Sequence, residues 1–147
     1  MENNIKLDNA TPPPLPGSTM ANNHNAEENY GIIDWFKKSM KNYTNLSGRA
    51  RRKEFWYFVL VQIGLTVLAM ILDKAVFGSE SEFFNACVAF GMLVPSITVC
   101  VRRLHDTGRS GWWLLLAAVP LIGFIMLLVF FAIETNSKTN QWGPPAK

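Results

Sequence analysis

The chain has 147 residues, 14 Lys and Arg against 11 Asp and Glu, a net charge of +3, and 49% hydrophobic residues. That length suits one domain. The small positive excess needs no nucleic-acid partner, because the cations sit at the ends of apolar runs instead of forming a continuous basic face.

Residues 1–29 hold Pro12, Pro13, Pro14 and Pro16, a cluster of Asn and few large apolar side chains. Such a segment cannot offset the entropy of ordering, so a disordered, solvated tail is predicted there. It lacks a basic start followed by an apolar stretch, and no signal peptide is expected in it. Residues 30–43 then place Ile32, Ile33, Trp35, Phe36, Met40 and Tyr43 at roughly helical spacing, with Asp34, Lys37, Lys38 and Lys41 between them. Aromatics on one side and lysines on the other predict an amphipathic helix lying on an anionic membrane surface. The plain alternative is a helix packed on the rest of the protein.

Three runs, residues 55–72, 83–101 and 112–133, contain no Asp, Glu, Lys or Arg. A helix of about 20 residues crosses the roughly 30 Å hydrocarbon layer of a bilayer. The predicted fold class is therefore an all-α membrane protein: an N-terminal interfacial amphipathic helix followed by three transmembrane helices, within a membrane domain of residues 30–145. Residues 134–147 are expected to form a short C-terminal tail. Lys37, Lys38, Lys41, Arg49, Arg51, Arg52 and Lys53 precede the first run, and Arg102, Arg103 and Arg109 join the second to the third. The joint over residues 73–82 has Lys74 against Asp73, Glu80 and Glu82. The excess of cations on alternate joints predicts a cytoplasmic N-terminus and second joint, with the C-terminus on the opposite side.

The polar residues with most information flank the runs. Ser47, Arg49, Arg51, Arg52, Lys53 and Glu54 lead into Phe55, Trp56 and Tyr57, the cation-then-aromatic order of an interfacial anchor, with Ser47 as a candidate helix cap. Arg102-Arg103-Leu104-His105-Asp106-Thr107-Gly108-Arg109-Ser110-Gly111-Trp112-Trp113 forms the second group. Gly108 and Gly111 suit a tight reversal, and Ser110 suits a cap on the third run. The predicted topology brings both groups to one face, where Glu54 and Asp106 would hold neighbouring guanidinium groups in place. Arg49, Arg51, Arg52, Glu54, Arg102, Arg103, His105, Asp106 and Arg109 are thus the candidates for a phosphate or headgroup site, or for a structural clamp.

Inside the runs, Gln62 and Thr66 are one turn apart and are expected to hydrogen-bond across a helix interface. Gly64, Gly91, Ala117, Ala118 and Gly123 permit close packing, and Pro95 and Pro120 interrupt. Cys87 and Cys100 fall in one predicted helix about 20 Å apart, too far to pair with each other, and read as packing residues, with a bridge between two chains as the alternative.

The stretch from Gly48 to Tyr57, the Arg102–Trp113 group, Pro120-Leu121-Ile122-Gly123 and the closing Asn140-Gln141-Trp142-Gly143-Pro144 occur in the order seen in the domain of unknown function 805 family, which the chain resembles over residues 30–145. The resemblance implies a bacterial inner-membrane location and a fold of a few helical spans. It implies no activity. Trp142 stands where members usually carry another aromatic, often Tyr, and the Asn- and Pro-rich head lies outside the pattern.

No catalytic constellation is legible. His105 and Asp106 are the only acid–base candidates, Ser110 lacks an elbow context, no Gly-rich phosphate loop exists, and neither a metal nor a cofactor is expected. The expected role is non-enzymatic binding, either of anionic lipid headgroups or of a membrane-protein partner or second copy. The alternative is a small oligomeric transporter or channel subunit, which the absence of ionisable residues from the runs disfavours.

Overall fold

The computed structural model of the chain describes residues 27–78 and 81–146. The chain divides after Tyr30, and the residues on either side, 27–30 and those from Gly31 on, are described separately. Residues 27–30 form a turn closed by Tyr30 N donating to the Glu27 carbonyl at 3.3 Å. The tail expected over residues 1–29 otherwise lies outside the described residues.

The part from Gly31 on is helical. Helix α1 (Ile32–Lys41) starts with the Asp34 carboxylate accepting from Gly31 N at 3.1 Å. Its apolar side turns into the protein: Trp35 and Ser39 are buried, and Phe36 stacks on Phe58 at 5.8 Å. Ile32 and Ile33 stay exposed. The amphipathic helix thus packs on the bundle, which is the alternative the sequence left open.

Helices α2 (Arg52–Phe77) and α3 (Phe83–Asp106) run antiparallel, and both are long and apolar enough to cross a membrane. At 1.5 Å per residue they span about 39 and 36 Å. Leu60, Ile63, Val67 and Ile71 on α2, with Phe90 and Leu93 on α3, remain exposed, as expected for a helix whose solvent is lipid. Helix α2 begins at Arg52 with Arg51 at the cap position and no side-chain cap bond, so Ser47, four residues further back, does not cap it. At the far end, buried Asp73 accepts from Phe84 N at 2.8 Å and Asn85 N at 2.9 Å, placing its carboxylate on the start of α3. Gln62 does bridge the helices, but to the Ser96 hydroxyl at 3.1 Å, whereas Thr66 donates back to the Gln62 carbonyl of its own helix.

Pro95 lies inside α3 and has no N–H for the carbonyl four residues earlier, that of Gly91. The Tyr43 hydroxyl, from the loop after α1, donates to that oxygen at 2.8 Å. One residue thus repairs the ladder that another breaks, as apolar surroundings demand. Tyr43→Phe leaves the carbonyl orphaned and is expected to cost about 1–3 kcal/mol. Thermal unfolding of the purified protein in detergent reads this, and an unchanged midpoint would show that the bond contributes nothing.

The expected third span is corrected by the structure. The run 112–133 is not one helix: a 3-10 helix (Gly111–Ala118) is followed by a turn and by α4 (Ile122–Ala132). Pro120 ends the first arm, and Leu121, with φ 65° and ψ −68°, reverses the chain in a γ-turn closed by Ile122 N donating to the Pro120 carbonyl at 2.8 Å. The arms match: eight residues at about 2.0 Å and eleven at about 1.5 Å each give roughly 16 Å, half of a bilayer core. They touch closely at Gly123, where a Cβ would sit 1.8 Å from the Leu116 carbonyl oxygen. The hairpin therefore returns residues 134–146 to the end of the bundle where it began, beside Asp106, and not to the opposite end as the sequence led us to expect.

The core lies at this same end. Phe55 and Phe58 of α2, Val99 and Leu104 of α3, and Leu127 and Phe131 of α4 pack together, with the Phe55 and Phe131 rings 4.5 Å apart.

Candidate functional site

Next to that core, six charged side chains meet. Asp106, the last residue of α3, is fully buried. Its Oδ1 accepts from Arg49 Nε at 2.9 Å, and its Oδ2 accepts from Arg103 Nη1 and from the Thr135 hydroxyl at 2.7 Å. Glu54, in the first turn of α2 and equally buried, accepts from Arg102 Nη1 at 2.9 Å and has Lys38 Nζ of α1 at 3.6 Å from its other oxygen. The two carboxylates are joined through the backbone as well, since Ala50 N donates to the Arg102 carbonyl at 3.0 Å. Three guanidinium groups facing two carboxylates would be costly in an apolar setting if their remaining N–H groups were unsatisfied.

Backbone carbonyls satisfy most of them. Arg103 donates through Nε to the Phe131 carbonyl at 3.2 Å and through Nη2 to that of Ile133, so its charge caps the C-terminal end of α4, where the helix dipole favours a cation. Arg49 reaches Asp106 O at 3.0 Å, Lys138 O at 2.9 Å, Gly143 O at 3.3 Å and Asn136 O. Arg102 Nη2 lies 3.4 Å from the Arg49 carbonyl. The planar fork of arginine permits this splitting of donors between a carboxylate and several carbonyls, which an ammonium could not do in a fixed geometry.

The tail is built to be gripped. Asn140 and Gly143 exchange N–H···O bonds of 3.1 and 3.0 Å, with Gly143 at a φ of 122°. That turn lays Trp142 flat on the His105 imidazole, with ring centres 4.4 Å apart and planes 8° from parallel. Asn140 Nδ2 donates to the His105 carbonyl at 2.9 Å, and Asn136 N to the Asp106 carbonyl at 3.2 Å. His105 Nδ1 lies 3.3 Å from the Gly48 carbonyl. The closing Asn-Gln-Trp-Gly motif and the Arg102–Trp113 motif are therefore two halves of one contact.

Of the sequence candidates, Arg49, Glu54, Arg102, Arg103, His105 and Asp106 come together. The others lie around them. Arg51 is half-buried with its guanidinium 5.8 Å over the Trp35 ring, and Arg52 is exposed, as is Lys53. Arg109 lies 4.0 Å over the Phe130 ring. Gly108 makes its turn at a φ of 77°, Ser110 accepts from Trp112 N at 3.4 Å, and a Cβ on Gly111 would stand 2.9 Å from Val101 Cγ1.

Sequence reasoning passed over Asp73, counted only as loop charge, and the tail residues Thr135, Asn136 and Asn140. Asp73 belongs to the last turns of α2 and not to the loop, ten residues before the α3 start that it holds, so its spacing in the sequence carried no cap signal. For the tail there was only the closing motif.

Chemically, the cluster is a clasp. His105 and Asp106 are adjacent in sequence yet serve different partners, and among the described residues no three His, Cys, Asp or Glu side chains gather to hold a metal ion.

Comparison with known proteins agrees with the motif pattern. The family model described as protein of unknown function DUF805 matches residues 43–144. The Escherichia coli K12 protein named inner membrane protein YhaH is 41% identical over 121 residues, covering 78% of this chain and 98% of the relative. Inner membrane protein YhaI of the same strain is 38% identical over 115 residues, covering 78% and 97%. The uncharacterized protein YiiR is 36% identical over 93 residues, 63% of this chain and 56% of the relative. No solved structure matches. The matched region contains both halves of the clasp, the bundle and the hairpin, and the chain belongs to the DUF805 family of proteins of unknown function.

Proposed function

We propose that this inner-membrane protein is non-enzymatic, with α2 and α3 as its spans and the hairpin as a re-entrant segment in the cytoplasmic leaflet, and that its cytoplasmic face binds anionic phospholipid headgroups. On this reading both the segment ahead of α2 and the tail after α4 are cytoplasmic, and α1 lies at headgroup level. The spans carry their cations at one end: Lys37, Lys38, Lys41, Arg49, Arg51, Arg52, Lys53, Arg102, Arg103 and Arg109 cluster there, and Lys74 stands beside Asp73 at the other.

The observation that carries the binding role is a division of labour among the cations. Arg49, Arg102 and Arg103 are buried and committed to the clasp. Lys37, Lys41, Arg52 and Lys53 are exposed at the same end, beside exposed Trp56. A cation near an anionic leaflet contributes about 1 kcal/mol. Four of them would hold a shell of anionic lipid without any help from the clasp.

Native mass spectrometry of protein released from mixed-lipid nanodiscs tests the proposal. The wild type is expected to retain anionic phospholipid, and the combined K37Q, K41Q, R52Q and K53Q variant to lose most of it while keeping its melting midpoint. Equal retention by both would remove the headgroup role and leave a partner protein as the reason for the basic face.

A further inference from the structure

Between α3 and the 3-10 helix runs a groove of about 450 Å³ whose walls include Ile97 and Val101 on one side and Trp112 and Leu115 on the other. A second hollow of about 420 Å³ shares Ser110, Trp112 and Leu115 with it and continues past Trp113. Ile97, Trp112 and Leu115 are all exposed apolar side chains. Both walls belong to apolar segments, so bilayer lipid is what surrounds the groove. One end is polar. There His105, the penultimate residue of α3, and Ser110, the cap of the 3-10 helix, join the lining.

His105 is 7% exposed and has a defined hydrogen-bonding state. The Gly48 oxygen only accepts, so Nδ1 carries the proton and donates to it. With that proton on Nδ1, the neutral ring has its lone pair on Nε2. Nε2 is then a lone-pair acceptor that the Gly48 contact leaves uncommitted. An accessible acceptor at the polar end of an apolar groove suits a ligand with a hydrogen-donating head and a hydrocarbon chain.

The charge around that end narrows the class. Arg109 directly precedes Ser110 of the lining, so an ammonium head is opposed there and an anionic one favoured. We propose that the groove is a binding site for one anionic glycerophospholipid whose headgroup carries free hydroxyls, with a hydroxyl donating to His105 Nε2 and an acyl chain lying between α3 and the 3-10 helix. The proposal rests on the headgroup reading above and adds a single site with chemical selectivity to a shell that has none.

Phosphatidylglycerol and phosphatidylmethanol separate the two, because they have the same charge and chains, and only the first has headgroup hydroxyls. In nanodiscs holding equal amounts of each, one tightly retained lipid per chain is expected, with phosphatidylglycerol preferred by about five- to tenfold, the value of one hydrogen bond. His105→Phe keeps a ring to stack on Trp142 and is expected to abolish the preference. Ile97→Trp fills the groove away from the clasp and is expected to remove the retained lipid itself at an unchanged melting midpoint. Retention of both anionic lipids without preference would overturn the hydroxyl site and leave the cationic shell standing. Retention of no anionic lipid would overturn both. A retained lipid unaffected by Ile97→Trp would place the site elsewhere and overturn the groove.

Discussion

Asp106→Asn is expected to be the most damaging conservative substitution in the chain. The amide keeps the shape of the carboxylate but not its charge, and two buried guanidinium groups, Arg49 and Arg103, lose their counter-ion together. Breaking a buried pair by removing one partner typically costs about 3–5 kcal/mol, because the cost is that of an uncompensated buried charge. Here one substitution breaks two such contacts and the Thr135 bond with them. The tail should be the first element to leave, since its carbonyls are gripped by the same Arg49 that Asp106 orients. Two measurements check this. The melting midpoint in detergent should fall sharply, and trypsin should cut after Lys138, an exposed side chain whose carbonyl is held in the intact clasp, much faster than in the wild type. Glu54→Gln is the natural comparison. It removes the counter-ion of Arg102 but leaves the tail contacts in place, so it should lower stability without opening the Lys138 site. Protection of the tail in Asp106→Asn would mean that the carbonyl bonds alone hold it and that the carboxylate is dispensable.

The two long helices were legible in the sequence because their signal is bulk hydropathy, which needs no knowledge of partners. So was the meeting of the two basic groups: an antiparallel pair of long helices brings Glu54 and Arg102 to one end whatever the packing detail. The hairpin was not legible, for a physical reason. Residues 112–133 are as apolar as a span, and hydropathy reports the solvent of a segment, not its winding. The decisive features are single residues whose effect is geometric: Pro120, the positive φ of Leu121, and the missing Cβ of Gly123. Pro120 and Gly123 were visible as a break and a small residue, but both also occur in ordinary spanning helices. The tail misled for a related reason. Charge counting sent it across the membrane because it has few cations, whereas its position is set by backbone carbonyls accepting from Arg49, an interaction any sequence offers. The aromatic side of α1 shows the same limit: the pattern marks Trp35 as needing an apolar partner and cannot say whether Phe58 or lipid supplies it.

The second large effect concerns the side of the membrane on which the chain ends. In a background lacking Cys87 and Cys100, a cysteine at Ser137 in the tail is expected to stay unlabelled by a membrane-impermeant maleimide in spheroplasts and to react only after lysis. A cysteine at Ser81, between the long helices, should react before lysis. The contrast is all or none, because a re-entrant hairpin and a full span differ by the whole bilayer. Stretched as one α-helix, the 22 residues of the run would cover about 33 Å and carry the tail across. Folded as two arms of roughly 16 Å they cannot. Gly123 decides between these forms, since any Cβ there meets the Leu116 carbonyl at 1.8 Å, and backbone has no rotamer with which to yield. Gly123→Leu should therefore open the hairpin, pull Phe131 O and Ile133 O away from Arg103, and lower the melting midpoint by an amount comparable to the loss of Asp106. Labelling of Ser137→Cys in intact spheroplasts would show a spanning third helix, and the clasp between Arg49 and the tail could not then exist, because its two halves would lie on opposite sides of the membrane.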